Sequence, residues 1–499
     1  MLAVDVCRLP TTGGSTFVVV AGLFMLITGV IVTRWVRASA GRMSVVVAPL
    51  VLLGGLALAP SVSYPCSPTT SVTPTTTVVP VDPNLVLEID SMVFAPVEIG
   101  SVTAADESFV FELGLWGEVD VHVDWGDGST DDVSAAGPFP HTYAMSGQYT
   151  ITVSGSLTGF GQDPSTFVQP LNGAHYLKAV RSFGELGITS FAYAFLASVN
   201  LIDVPSNLPA TVTDMSAMFA GASSFNQSLD SWDTGQVTTM STMFAEASSF
   251  NGDVSGWDTG LVTNMSNMFL GASSFNQSLN NWDTGLVTNM SDMFLEARSF
   301  NGDVNGWDTG QVTNMSYMFS GASSFNQSLD SWVTSSVNYM NGMFQGASSF
   351  NQSLDSWDTG LMTVMSYMFQ GASSFNQSLD SWDTSSVTHM SYVFDGASSF
   401  NQSLGAWDIS EVIDMRSMLD GSALSVDNYD ATLNGWANSA TQSDVTLGAA
   451  GLHFSNNGAF WHEIFTQCPF FWSIFDEGNQ DFIPTSLSDS DQPVSIACN

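Results

Sequence analysis

The chain has 499 residues, 44% of them hydrophobic, enough for two or three domains and a sizeable core. Only 11% are charged, and 8 Lys+Arg stand against 47 Asp+Glu, a net charge of −39. That balance excludes nucleic acid, which needs clustered cations for its phosphates, and leaves membrane contact to the N-terminal segment alone.

Four of the eight basic residues, Arg8, Arg34, Arg37 and Arg42, lie in the first 42 positions. Two apolar runs accompany them, Phe17 to Thr33 and Val45 to Ala59. The second follows the arginines and ends in small residues before Ser61, the layout of a secretory signal. It is shorter than the roughly 20 residues a membrane span needs. The first run is nearer that length, so a retained anchor is the competing reading. Either way the arginines stay inside and the rest is sent outward. Residues 1–60 are therefore read as a signal or membrane-anchor region, and the mature chain as extracellular or cell-surface. Residues 61–84 are rich in Ser, Thr and Pro and read as an extended linker. Cys7, Cys66, Cys468 and Cys498 are too scattered for a metal site; a Cys468–Cys498 bridge is one option in an oxidising compartment.

From 85 to 165 apolar residues alternate in Leu85–Ile89, Phe109–Leu113, Val119–Asp124 and Tyr149–Val153, which predicts short antiparallel strands. Between them stand Trp125-Gly126-Asp127-Gly128, then His141-Thr-Tyr143, then a Gly-x-Tyr strand. Asp and Gly there make a tight turn. These motifs resemble the PKD-like β-sandwich, a common extracellular spacer or binding module. Asp124, Asp127, Asp131 and His141 could also be read as a metal or acid–base cluster. Turn chemistry accounts for the first two, and the spacing lacks the alternate oxygens of a calcium loop.

The centre of the chain repeats with a period of 25 residues. Trp recurs at Trp232, Trp257, Trp282, Trp307, Trp332, Trp357, Trp382 and Trp407. Phe225, Phe250, Phe275 and Phe300 begin a second series, and Met240, Met265, Met290 and Met315 belong to a third. Such periodicity predicts core. Within one unit Met240, Met243, Phe244, Ala247 and Phe250 are spaced as one stripe of a short helix. Asn251-Gly252 and Asp258-Thr259-Gly260 are turns, and Val262 opens a short strand into the next unit. A unit this small buries its apolar face only by stacking on its neighbours.

The unit F-N-Q-S-L-x-x-W-D-T-S-x-V-T-x-M-S-x-M-F-x-G-A-S-S resembles the BspA-like leucine-rich-repeat surface proteins, from about residue 171 to 475. Phe191–Pro205 resembles a degenerate first unit, Leu424–Trp436 a terminal cap, and Trp472–Gly478 a closing strand. The resemblance implies surface display and adhesion to host or matrix proteins or to other cells, with no catalytic residues to carry over.

The expected fold class is α+β. It comprises a right-handed solenoid of leucine-rich-like repeats, each with a short strand and a short helix, preceded by a small antiparallel β-sandwich. Its divisions are 171–211 as N-terminal cap and degenerate repeat, 212–415 as the repeats, 416–480 as C-terminal cap and 481–499 as tail. The expected function is an exported adhesion or protein-interaction scaffold whose partners are extracellular, host or matrix proteins or glycans. The alternative is a calcium- or glycan-binding surface layer, suggested by Asn and Asp ladders and by an acidity that attracts cations or basic partners. No cofactor is expected otherwise. An enzyme is disfavoured: units 212–415 hold one His (His389), one Arg (Arg298) and no Lys or Cys, and no nucleophile–base arrangement stands out.

Overall fold

The computed structural model describes residues 82–94, 107–166, 168–467 and 470–478. The signal or anchor region, most of the linker, the tail and all four cysteines lie outside the described residues. The described residues all belong to one compact unit. Among the described residues no helix is long and apolar enough to cross a membrane.

The unit opens with six strands: β1 (Leu85–Asp90), β2 (Phe109–Asp124), β3 (Thr130–Val133), β4 (Gly137–Tyr143), β5 (Gln148–Phe160) and β6 (Leu177–Phe183). They form one antiparallel sheet in the order β3-β2-β5-β1-β6, with β4 paired to β2. The runs Phe109–Leu113 and Val119–Asp124, expected as separate strands, are one strand of 16 residues. Gly117, at φ +73°, sits in a register shift between Trp116 and Val119, so β2 bends there instead of ending. Its first half then serves β4 and its second half β3 and β5. The sheet also runs beyond residue 165, because β6 completes it by pairing with β1.

No boundary in the hydrogen bonding separates sheet from repeats. Gly159 of β5 forms a parallel bridge with Ser190, and Ser190 with Asp214. Ala179 of β6 likewise meets Asp203. The bridge then passes once per unit through Thr239, Asn264, Asn289 and Asn314 to Tyr339, and resumes from Val364 through His389 to Asp414. The short strand expected at each unit junction is thus reduced to a single bridging residue.

The expected helix over Met240–Phe250 does not form, and no unit from 212 to 415 contains a helix. Met243, Ala245, Ala247 and Phe250 donate their amides three residues back. Alternating with them, Thr242, Phe244 and Glu246 donate to Ser266, Met268 and Leu270 of the next unit. Thr242 and Glu246 hold left-handed φ of 62° and 57° to make this alternation. The reason is dimensional. Equivalent Phe rings of neighbouring units, such as Phe244 and Phe269, stack 5.6 Å apart. Packed helices need about 8–10 Å between axes. At the closer spacing the backbone is satisfied between units, and tight turns deliver the same apolar side chains inward. The fold is accordingly mostly β with little helix, repeated units plus an antiparallel sheet, and not α+β.

Among the described residues α-helix appears only where the stack stops. α1 (Val426–Trp436) covers the last unit, and β7 (Thr446–Gly448), α2 (Asn456–Thr466) and β8 (Ser473–Phe475) follow. Ser425 caps α1 by accepting the Asn428 amide. On α1 the Trp436 indole donates to the Leu404 carbonyl at 2.9 Å, the bond every repeat Trp makes one unit back.

Candidate interaction surface

Three inner columns hold the units together. The Trp, Phe and Met residues of all three series are at most 3% exposed. Successive indoles stack at 6.0–6.4 Å from Trp232 to Trp332 and again from Trp357 to Trp407. Each also donates its N–H to a carbonyl of the preceding unit, as Trp257 does to Leu229 at 2.8 Å and Trp282 to Val254 at 3.0 Å. A fourth column is Thr: Thr234, Thr259 and Thr284 are buried and donate to the carbonyls of Asp258, Asp283 and Asp308 at 2.7–2.8 Å.

Two polar columns follow outside. In the first, each Asn after a repeat Phe accepts the amide of its counterpart one unit on, unbroken from Asn226 to Asn401 at 2.7–2.9 Å. Ser425 ends the ladder on Asn401. The Gln residues beside them, Gln277 and Gln327 among others, donate back to the same Asn oxygens. This column is spent on cohesion.

The second is carboxylate. Asp233, Asp258, Asp283 and Asp308 are exposed and in register; Val333 interrupts, and Asp358 and Asp383 resume. One oxygen of each accepts the amide two residues on, as Asp258 does from Gly260 and Asp283 from Gly285 at 3.0 Å. The other oxygen of Asp258 lies near Gly235 of the preceding unit. Among the described residues no ion pair engages this column. Arg298, the one cation of the repeats, is held by Glu296 at 2.9 Å. Leu261, Leu286 and Leu361, three residues beyond these Asp, are 46–52% exposed and add apolar area.

A family model described as Mycoplasma protein of unknown function, DUF285, matches residues 189–285, 277–361 and 353–447, together more than half of the chain. The chain belongs to this family. Comparison with curated proteins and with solved structures finds no match. The DUF285 match runs from the Ser190 bridge to α1 and its flank, so the inner columns and both polar columns fall inside it.

The sheet that precedes the DUF285 repeats gathers the turn residues into one cluster. Trp125 is fully buried, stacks on His141 at 4.4 Å and donates its indole N–H to Asp131 at 2.8 Å. Tyr143 donates its hydroxyl to the Trp125 carbonyl at 2.9 Å, and burial pushes its phenol well above the usual range. Gly126 and Gly128 hold φ of +77° and +93°, and a Cβ on Gly126 would strike the Thr150 carbonyl. Asp124 accepts the Gly126 amide at 2.9 Å. Asp127 accepts the Ser129 amide and meets His141 Nε2, each at 2.9 Å. Burial alone would raise the Asp127 carboxyl; hydrogen bonds from Ser129 and His141 outweigh it and hold the group down at about 2. The cluster fastens the β2–β3 turn to β4. Among the described residues no group of three or more His, Cys, Asp or Glu could hold a metal ion.

The buried Thr column and the Gln clamps escaped sequence reading. The Thr recurs with the period of the Trp series and the Gln does so except at Gly252 and Gly302, so the signal was present. Their roles were not, because Thr and Gln read as ordinary surface residues until the neighbouring unit is in place.

Proposed function

We propose that this protein is an exported cell-surface scaffold that binds a basic partner along the carboxylate column of its repeats. The observation that carries this reading is the uncompensated, exposed register of Asp233, Asp258, Asp283 and Asp308. Apolar contact at Leu261 and Leu286 would add affinity, while the repeated negative charge steers and orients a cationic surface. On this reading the units form a right-handed solenoid of the BspA-like, leucine-rich type, the preceding sheet serves as a PKD-like spacer, and residues 1–60 direct export. The role is adhesion or protein interaction, not catalysis.

The test is binding of the full-length protein to extracellular-matrix proteins of differing charge, with and without calcium, at rising salt. The wild type is expected to bind a basic matrix protein saturably, and to weaken as salt shortens the screening length below about 10 Å. The triple change Asp258→Asn, Asp283→Asn and Asp308→Asn should abolish that binding without unfolding the stack. Binding that ignores both salt and the triple change would overturn the proposal. A calcium-dependent rise in thermal stability lost in the same variant would favour the ion-binding layer instead.

A further inference from the structure

The junction between the turns that carry Trp332 and Trp357 is bonded less completely than its neighbours. From Ser190 to Asp414 a parallel bridge joins successive units, yet none joins Tyr339 to Val364. At the adjoining junctions Met315 donates its amide to the Tyr339 carbonyl at 2.8 Å, and Thr388 to the Thr363 carbonyl at 2.9 Å. Met340 makes no such bond to Val364, nor Thr363 to Asn338. The indole column lapses at the same place, with stacking up to Trp332 and again from Trp357. The Trp357 N–H meets the Leu329 carbonyl at 3.4 Å, against 2.8–3.2 Å for the other repeat indoles.

Contacts on either side of the lapse are intact. Before it the Thr334 hydroxyl donates to the Asp358 carbonyl at 2.8 Å. After it Gly342 and Phe344 donate to Ser366 and Met368 at 2.9 Å, and Phe344 stacks on Phe369 at 5.6 Å.

The sequence supplies a cause. The core position that is Val from Val237 to Val337, and again at Val387 and Val412, holds Met362, which is fully buried. A longer side chain in a packed column pushes backbone aside. Tyr339 and Val364 also lack the carboxamide with which Asn314 accepts the Ser316 amide at 3.0 Å. That loss is not sufficient, because Val364 and His389 lack it equally and still bridge.

We infer that Met362 makes this junction a hinge, at which the array flexes and opens before it does so at the neighbouring junctions. Each unit is held by its two neighbours alone, so the interface with fewest bonds parts first. Val333, which interrupts the carboxylate column, lies in the same unit, so the hinge falls between Asp308 and Asp358 and divides no run of carboxylates. The inference rests on packing and not on the function proposed for that column.

Hydrogen exchange of the full-length protein, read by mass spectrometry, tests it. Phe319, Phe344 and Phe369 each donate to the next unit at 2.9 Å, so a uniformly rigid stack protects them alike. The hinge predicts that Phe344, whose bond crosses the junction, exchanges about tenfold faster than the other two after correction for intrinsic rates. Met362→Val should return Phe344 to the rate of its counterparts. Equal protection of the three amides in the wild type overturns the inference, and that comparison needs no variant. A folded Met362→Val protein in which Phe344 still exchanges as fast as in the wild type overturns it too.

Discussion

Replacing Trp307 in two steps separates the packing of the indole column from its hydrogen bonding. Trp307 is 2% exposed, stacks on Trp282 at 6.4 Å and Trp332 at 6.0 Å, lies 6.3 Å from Phe294, and donates to the Leu279 carbonyl at 2.8 Å. Trp307→Phe removes the N–H but keeps a ring. The Leu279 carbonyl still accepts the Trp282 amide at 3.0 Å, so no acceptor is orphaned and the lost bond costs about 1 kcal/mol. The smaller ring adds a little to that. Trp307→Ala also empties the stack, a loss of about 3–5 kcal/mol. Urea unfolding followed by far-UV circular dichroism gives both numbers. Because each unit touches only its neighbours, amide exchange should accelerate first in the units carrying Trp282 and Trp332. Equal costs for the two variants would refute the reasoning, since the N–H and not the stacked ring would then carry the column.

Glu246 occupies, at φ 57°, a slot that Gly271, Gly321, Gly346 and Gly371 fill in other units at 65–70°. A left-handed non-glycine residue costs about 1–2 kcal/mol, so Glu246→Gly should raise thermal stability by about 1 kcal/mol; a fall in melting temperature would contradict it. Asn326→Ala deprives the Asn351 amide of its acceptor (2.9 Å) and the Gln352 side chain of one of two (3.0 Å, the Asn326 carbonyl at 3.1 Å remaining), and should cost about 1–2 kcal/mol in the same urea experiment. Asp127 has its carboxyl depressed from 3.8 to about 2, so its stabilising contribution is complete above 3.8 and is lost as pH falls towards 2. Near-ultraviolet dichroism of Trp125 on acid titration should show this loss in the wild type and not in Asp127→Asn. A wild-type signal that stayed flat as the pH fell towards 2 would refute it.

Much of the architecture was legible because stacking demands identity. A side chain that packs on its own counterpart must recur with the unit, so the period alone separates Trp257, Phe250 and Met240 from the surface. Turn chemistry was legible for the same local reason: Asp258 bonds an amide two residues away, and Gly128 supplies a positive φ that few other residues tolerate. The candidate surface was half visible, since the Asp and Asn ladders could be counted along the chain. Which of them stays free could not, because the Asn oxygens are taken by amides of the next unit.

By itself, then, the sequence determined the repeat, its inward-facing residues and its turns, all consequences of periodicity and of contacts a few residues long. Only the tertiary structure decided that Met240–Phe250 is a run of turns and not a helix, that β2 bends through Gly117 as one strand, and that β6 belongs to the sheet. Those outcomes depend on where a backbone amide finds its acceptor. The spacing of apolar residues is the same for a helical stripe and for stacked turns. A neighbour 5.6 Å away offers acceptors that no window of sequence contains.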